Sequence, residues 1–337
     1  MALRFSPRST PLAAVLAALI LAVPAAPQAQ TNLGEQRAGT ASGTFLKIPF
    51  SAREAALARA YGALAVGPEA ASVNPAGLSF TGEPAVSIGY IQWPAEITIT
   101  SIAHARYLQD LGTHLGLFAA GLRTTMEETD EFHPLGTGRE FSFSDLVAGL
   151  YLSRHFTDRL TIGVGVKYFQ ENLATELGGP RIQTVLFDAG NVYRLGFRQA
   201  RLAIAITNFG GDLRPDGGYD SRLLDGEVRY SAFAAPTVFR LSFALDSWRR
   251  GDQTLWTMGE IQNLADNEET FIGALEWTYS DLVALRAGYN FNGDAFKLGL
   301  GAGWTTHFSG TTLGVDYAFS DAEYLGDVHH WSLNLTF

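Results

Sequence analysis

From Glu83 to the end of the chain, apolar residues alternate with small or polar ones, segment after segment. A period of two sustained this way describes β-strands with one apolar and one small or polar face. In "LTIGVGVKYF" (160–169), Ile162, Val164, Val166 and Tyr168 point one way, and Gly163, Gly165 and Lys167 the other. "VFRLSFALD" sets Phe239, Leu241, Phe243 and Leu245 against Arg240, Ser242, Ala244 and Asp246. The same holds for "LVALRAGYNF", "AFKLGLGAGW" (Phe296 to Trp304 on the apolar side) and "TLGVDYAF". Periodicity alone does not say whether the apolar face meets a soluble core or lipid. Three other features favour lipid.

The alternating segments run about nine to twelve residues, the length of a tilted transmembrane strand. Aromatic residues gather near segment ends, at Tyr90 and Trp93, Trp277 and Tyr279, and Trp304, as an interfacial girdle requires. The links also alternate between short ("DLG", "TD", "SD") and long ("TMEETDEFHPLGTGRE", "GGDLRPDGGYDSRLLDGEVRYSAF"). Fourteen strand segments are expected, near 84–93, 97–109, 113–124, 143–155, 159–171, 182–195, 200–208, 234–246, 253–262, 270–280, 282–291, 295–305, 310–319 and 329–337. An even count with short turns on one side describes an all-β, antiparallel transmembrane barrel with both termini in the periplasm.

Composition agrees. Charged residues make up only 17% of the chain, with 36 Gly and 12% aromatics, whereas soluble domains carry roughly 25% charge. The net charge of −10 disfavours nucleic acid. The absence of Cys excludes disulfides and thiol chemistry. Residues 1–29 read as a signal peptide: Arg4 and Arg8, then the apolar "PLAAVLAALILAV", then small residues. Residues 30–82 are small and Ala-rich, and 83–337 form the barrel. Within 30–82, "SAREAALARAYGALAV" (51–66) is expected to be a helix opened by a Ser51/Glu54 capping box and closed by Gly67-Pro68.

The stretch "SGTFLKIPFSAREAALARAYGALAVGPEAASVNPAGLSF" (42–80) resembles the N-terminal segment of the PorV/PorQ family, itself similar to the FadL-like barrels. The likeness rests on Phe45-Leu46-Lys47-Ile48, Ala52-Arg53, Ala60-Tyr61-Gly62-Ala63, Ala70-Ala71 and Asn74-Pro75-Ala76-Gly77-Leu78. The ending "GDVHHWSLNLTF" is similar too. The chain departs from the pattern where the family carries a Gly pair, having Ala58-Arg59. The resemblance implies a fourteen-stranded barrel filled by an N-terminal plug or hatch, and a cell-envelope component associated with type IX secretion or export. The alternative it leaves open is a FadL-like passive transporter of hydrophobic small molecules. Implied partners are outer-membrane lipid, the barrel-assembly machinery, and either secretion-system proteins and exported cargo or a hydrophobic ligand.

No catalytic, cofactor or metal motif stands out among the residues. The seven His lack metal-ligand spacing, and no Gly-x-Ser-x-Gly elbow occurs, so an enzyme is not expected. The candidate plug residues are Asn74, Pro75, Ala76, Gly77 and Leu78, with Phe45, Lys47, Arg53 and Tyr61 on the approach and helix. Candidate lumen charges are Arg106, Arg154, Lys167, Arg240, Asp246, Glu260, Glu276, Arg286, Lys297 and Asp316. Trp331, Leu333, Leu335 and Phe337 form a C-terminal assembly signal. Within the plug motif, Pro75 is expected to stiffen the chain and Gly77 to permit a tight reversal.

Overall fold

Alternation of the kind read above becomes stable only when every strand edge is paired, because unpaired backbone groups in lipid cost several kcal/mol each. The computed structural model, which describes residues 39–221, 226–293, 296–322 and 326–337, meets that demand by closure. The expected signal peptide, 1–29, lies outside the described residues. The strands are β1 (Ala85–Gln92), β2 (Thr98–Leu108), β3 (Thr113–Glu127), β4 (Glu140–His155) and β5 (Leu160–Leu173). Next come β6 (Arg181–Arg194), β7 (Arg201–Gly210), β8 (Gly218–Ser221), β9 (Gly226–Arg229), β10 (Val238–Arg250) and β11 (Gln253–Leu264). The last are β12 (Thr270–Tyr279), β13 (Val283–Asn290), β14 (Leu298–Phe308), β15 (Thr311–Asp321) and β16 (Asp327–Thr336). Fourteen of them close a barrel of antiparallel neighbours, sealed by β1 against β16. The other two, β8 and β9, form a hairpin inside the 211–237 link, which the sequence shows only as a long loop.

The outward face is apolar. Ile102, Val164, Phe187, Phe271 and Leu285 are each more than half exposed, and such a continuous belt is stable only in a bilayer. Trp331 and Leu333 also point outward, and Trp277 and Tyr279 stack with centroids 6.3 Å apart. Trp93 does not join the girdle. It turns inward and packs on Phe296, 5.1 Å away, at the edge of the interior cluster. Phe296, expected on the lipid face, is thereby an interior contact as well.

Arg106 and Arg154 also depart from expectation. Both are exposed and share the outward parity of Ile102 and Leu152, so neither faces the lumen. Each sits in the last residues of its strand at the short-turn end, where an Arg head reaches interfacial water. Alternation counted from the strand middle gives their true face.

The interior is filled by the N-terminal segment. Chain 41–81 touches the wall all around the ring, from β1 at Gly89 through β5 at Gly163 and β10 at Ser242 to β14 at Gly299. The segment runs the length of the lumen. Ala41 bridges to Ala234 in the 211–237 link at the long-loop end, whereas Thr81 leads into β1 at the short-turn end, accepting a bond from His114. The described chain therefore begins at the long-loop end and finishes, after β16, at the short-turn end. The N-terminus itself, and with it the expectation of both termini on one side, lies outside the described residues.

The helix expected over 51–66 stops early. The Ser51 hydroxyl caps Glu54 N–H at 3.2 Å, and α1 spans only Ala52–Ala56. Ala58 and Arg59 then adopt φ of 48° and 81°, and the chain continues as turns. The left-handed pair is the position where the resembling family carries Gly. Here the Arg59 guanidinium donates to the Lys47 carbonyl at 2.5 Å, holding the turn without glycine. Ala58→Gly is expected to raise unfolding stability by about 0.5–1 kcal/mol by removing left-handed strain; a urea titration in detergent reads it.

Candidate functional site: the barrel lumen

The inward face of the strands repeatedly presents glycine where the segment approaches. A Cβ at Gly163 would overlap the Pro75 carbonyl, one at Gly190 the Asn74 amide, and one at Gly288 the Leu57 carbonyl. The wall is thus cut to backbone depth for Asn74-Pro75 on one side and Leu57-Ala58 on the other.

Asn74 anchors the first contact. Its Oδ1 accepts from Ala76 N–H at 3.2 Å, capping the 3-10 turn Pro75–Phe80. Its Nδ2 donates to Gly62 O at 3.0 Å and to Asn191 O at 3.1 Å. One side chain so joins two parts of the segment to β6. Gly77 serves differently from the sequence reading. Its φ is not positive; glycine is needed because a Cβ there would strike the Ala65 carbonyl and lie 2.6 Å from the Ala70 Cβ. Ala76 and Leu78 are fully buried beside it.

Charged groups bind segment to wall in several places. Glu276 accepts from Arg53 Nε at 2.8 Å and Nη2 at 2.6 Å, and from Arg286 Nε at 2.6 Å. Arg286 continues to Asp316, and Asn334 links Asp316 to Glu69 with bonds of 3.2 Å to each. Around β10 and β11, Glu260 accepts from Gly62 N–H at 3.0 Å and the Ser242 hydroxyl at 2.7 Å. Arg240 lies between Glu260 (3.4 Å) and Glu54 (3.7 Å). At the segment's start, Lys47 pairs with Asp266 at 2.6 Å, and Phe45 packs edge-on to Phe50.

Lys167 also faces inward and pairs with Asp188 at 2.8 Å, but within the wall. A bulge where Phe187 and Ala189 pair with β7 carries Asp188 to the Asn208 N–H at 2.6 Å. Asp246 bonds Arg249 at 2.8 Å near the short-turn end, and Lys297 stands half-buried just before β14. The sequence reading took Glu54 only as part of a capping box, and missed Glu69, Asp188 and the inward pair Arg194 and Arg201. Parity within "VLFDAGNVYR" places Arg194 with Asp188 and Val192, so that one was legible.

Burial raises the Glu54 carboxyl from 4.5 to about 7, with Arg240 and Arg59 opposing and Glu260 assisting. A carboxyl raised on folding favours the folded state when protonated. Its stabilising effect is complete below pH 4.5 and lost as pH rises to about 7, on the order of 3 kcal/mol. The segment should therefore resist trypsin better at pH 5 than at pH 8 relative to Glu54→Gln, whose pH dependence should be flatter.

Among the described residues, two cavities lie between segment and wall at the short-turn end. One, of about 330 Å³, lies among Arg53, Tyr61, Glu69, Arg286 and Asp316. The other, of about 320 Å³, shares Arg53 and Phe80 with it and reaches Arg194, Arg201 and Trp256. Toward the long-loop end, the space beside Trp93 and Phe296 shrinks to about 20 Å³.

No family model matches the chain, and no curated protein matches it in sequence. Among solved structures, it is similar to the Ralstonia pickettii toluene transporter TbuX, with a TM-score of 0.54 and 12% identity over 85% of this chain and 96% of that one. It is similar to the Pseudomonas putida toluene transporter TodX, with a TM-score of 0.54 and 14% identity over 85% and 96%. The monoaromatic hydrocarbon channel CymD gives 0.54 and 12% over 86% and 97%. At such identities the likeness is one of fold, and the chain is a closed fourteen-stranded antiparallel barrel similar in architecture to these channels.

Proposed function

We propose that the protein sits in the bacterial outer membrane and passes small hydrophobic molecules, with residues 41–81 as a plug that must shift for transit. The observation that carries this reading is the pair of aromatic-lined cavities between plug and wall, in an architecture shared with toluene transporters. The apolar belt supports the membrane setting. The chemistry is passage without bond making. The test is initial uptake of toluene by cells carrying a lipopolysaccharide outer membrane, with and without the protein. Faster uptake with the protein supports the reading; equal rates, also when the plug is loosened, overturn it.

A second reading has its own support. The lumen is filled over its length, with Leu57, Tyr61, Ala70 and Leu78 fully buried, which suits a PorV/PorQ-like export component better than an open channel. Mass spectrometry of the gently extracted complex separates the two: a bound protein partner favours export, a bound small hydrophobe favours passage.

A further inference from the structure

Arg194 and Arg201 are direct cross-strand neighbours on β6 and β7, both on the inward face at the short-turn end. Like charges placed opposite each other repel. Among the described residues neither guanidinium has a carboxylate within salt-bridge distance, unlike Arg53, Arg240, Arg249 and Arg286. Both instead lie over the Phe80 ring, with Cζ 4.8 Å (Arg194) and 5.2 Å (Arg201) from its centroid. Arg201 also lies 5.6 Å from the Trp256 ring. Leu64, Phe80 and Trp256 line the adjoining cavity of about 320 Å³, and Arg53 reaches into it from the segment.

We propose that this cavity binds a small aromatic acid. Two guanidiniums without acidic partners match one carboxylate, which each can meet with paired N–H donors. Phe80, Trp256 and Leu64 supply apolar lining for a ring-sized body. A neutral hydrocarbon leaves the Arg pair uncompensated, and a bare anion leaves the apolar lining unused. The volume suits a single-ring compound rather than a long chain or a peptide. The site faces the short-turn mouth, and its occupancy does not depend on passage through the barrel.

The experiment is equilibrium titration of the full chain in neutral detergent, read by Trp fluorescence and by calorimetry. Benzoate is the main probe; toluene, acetate, inorganic phosphate and decanoate are the comparisons. Benzoate should bind at least tenfold more tightly than each of the other four. Arg194→Gln and Arg201→Gln should each weaken benzoate at least tenfold while leaving toluene binding within twofold. Neither variant should lower thermal stability, because each relieves repulsion; Arg139→Gln, at the far end of the barrel, should bind benzoate normally. Toluene or decanoate binding as tightly as benzoate, phosphate binding as tightly, or undiminished benzoate binding by Arg201→Gln would each overturn the assignment. Failure of toluene uptake in cells with benzoate binding intact would count against passage and leave this site standing.

Discussion

Gly163→Val together with Gly288→Val is expected to push the N-terminal segment off the barrel wall. The two glycines face opposite parts of the segment, Pro75 and Leu57, and in each case the clash is with backbone that cannot rotate away. Overpacking costs about 1–3 kcal/mol per site even where side chains can adjust. Here the sum falls on contacts between segment and wall, because the strands are held by continuous ladders through β4–β5–β6 and β12–β13–β14. The barrel should still assemble. The segment should become cleavable by trypsin, and conductance across a planar bilayer should rise from near zero to discrete channel steps. Gly259→Val is the control, since a Cβ there meets nothing within 4 Å. Silent bilayers and a protected segment in the double variant would show that the glycine contacts do not hold the lumen closed. Exchanging Asn74-Pro75 for Gly-Gly should act in the same direction by removing the Gly62 and Asn191 bonds.

Glu276→Ala is expected to cost more stability than the loss of either of its partners. Glu276 is 1% exposed and is shared by Arg53 and Arg286. Removing one member of a buried charge set typically costs 3–5 kcal/mol, because the remaining charges stay buried without compensation. Arg286 would retain Asp316, so the deficit concentrates on Arg53. Adding Arg53→Ala to Glu276→Ala should therefore restore part of the lost stability, a coupling that a double-mutant cycle measures. Urea midpoints in detergent, or the temperature at which the folded band disappears on a gel, give the readout. Additive losses would mean that the two side chains do not act as a pair across the segment–wall contact.

Strand positions were legible because the two faces of a barrel wall differ so strongly in chemistry. Lipid outside demands Val, Phe and Leu, while the packed interior takes Gly, Ser and paired charges, and a period of two records both. The reading failed where a residue lies near a strand end, as with Arg106 and Arg154, because the interface accepts polar heads on either face. It failed again at Trp93, where an aromatic near a strand end has two stable destinations. The helix over 51–66 failed for another reason. Its small residues satisfy helix propensity, but the chain is seated at backbone depth against Gly288 of β13 and Gly299 of β14, and it turns at Ala58-Arg59 instead.

Local chemistry sufficed for the barrel class, the outward belt and the capping of α1 by Ser51, since each depends on neighbours two to four residues apart. The partners of the inward charges are another matter. Arg53 meets Glu276 and Glu54 meets Arg240 across long stretches of chain, and no spacing rule encodes which strand stands opposite which turn. The same holds for Asn74-Pro75-Ala76-Gly77-Leu78: its stiffness is local, but its seat, on β5 and β6 through Gly163 and Gly190, exists only once the sheet has closed around it.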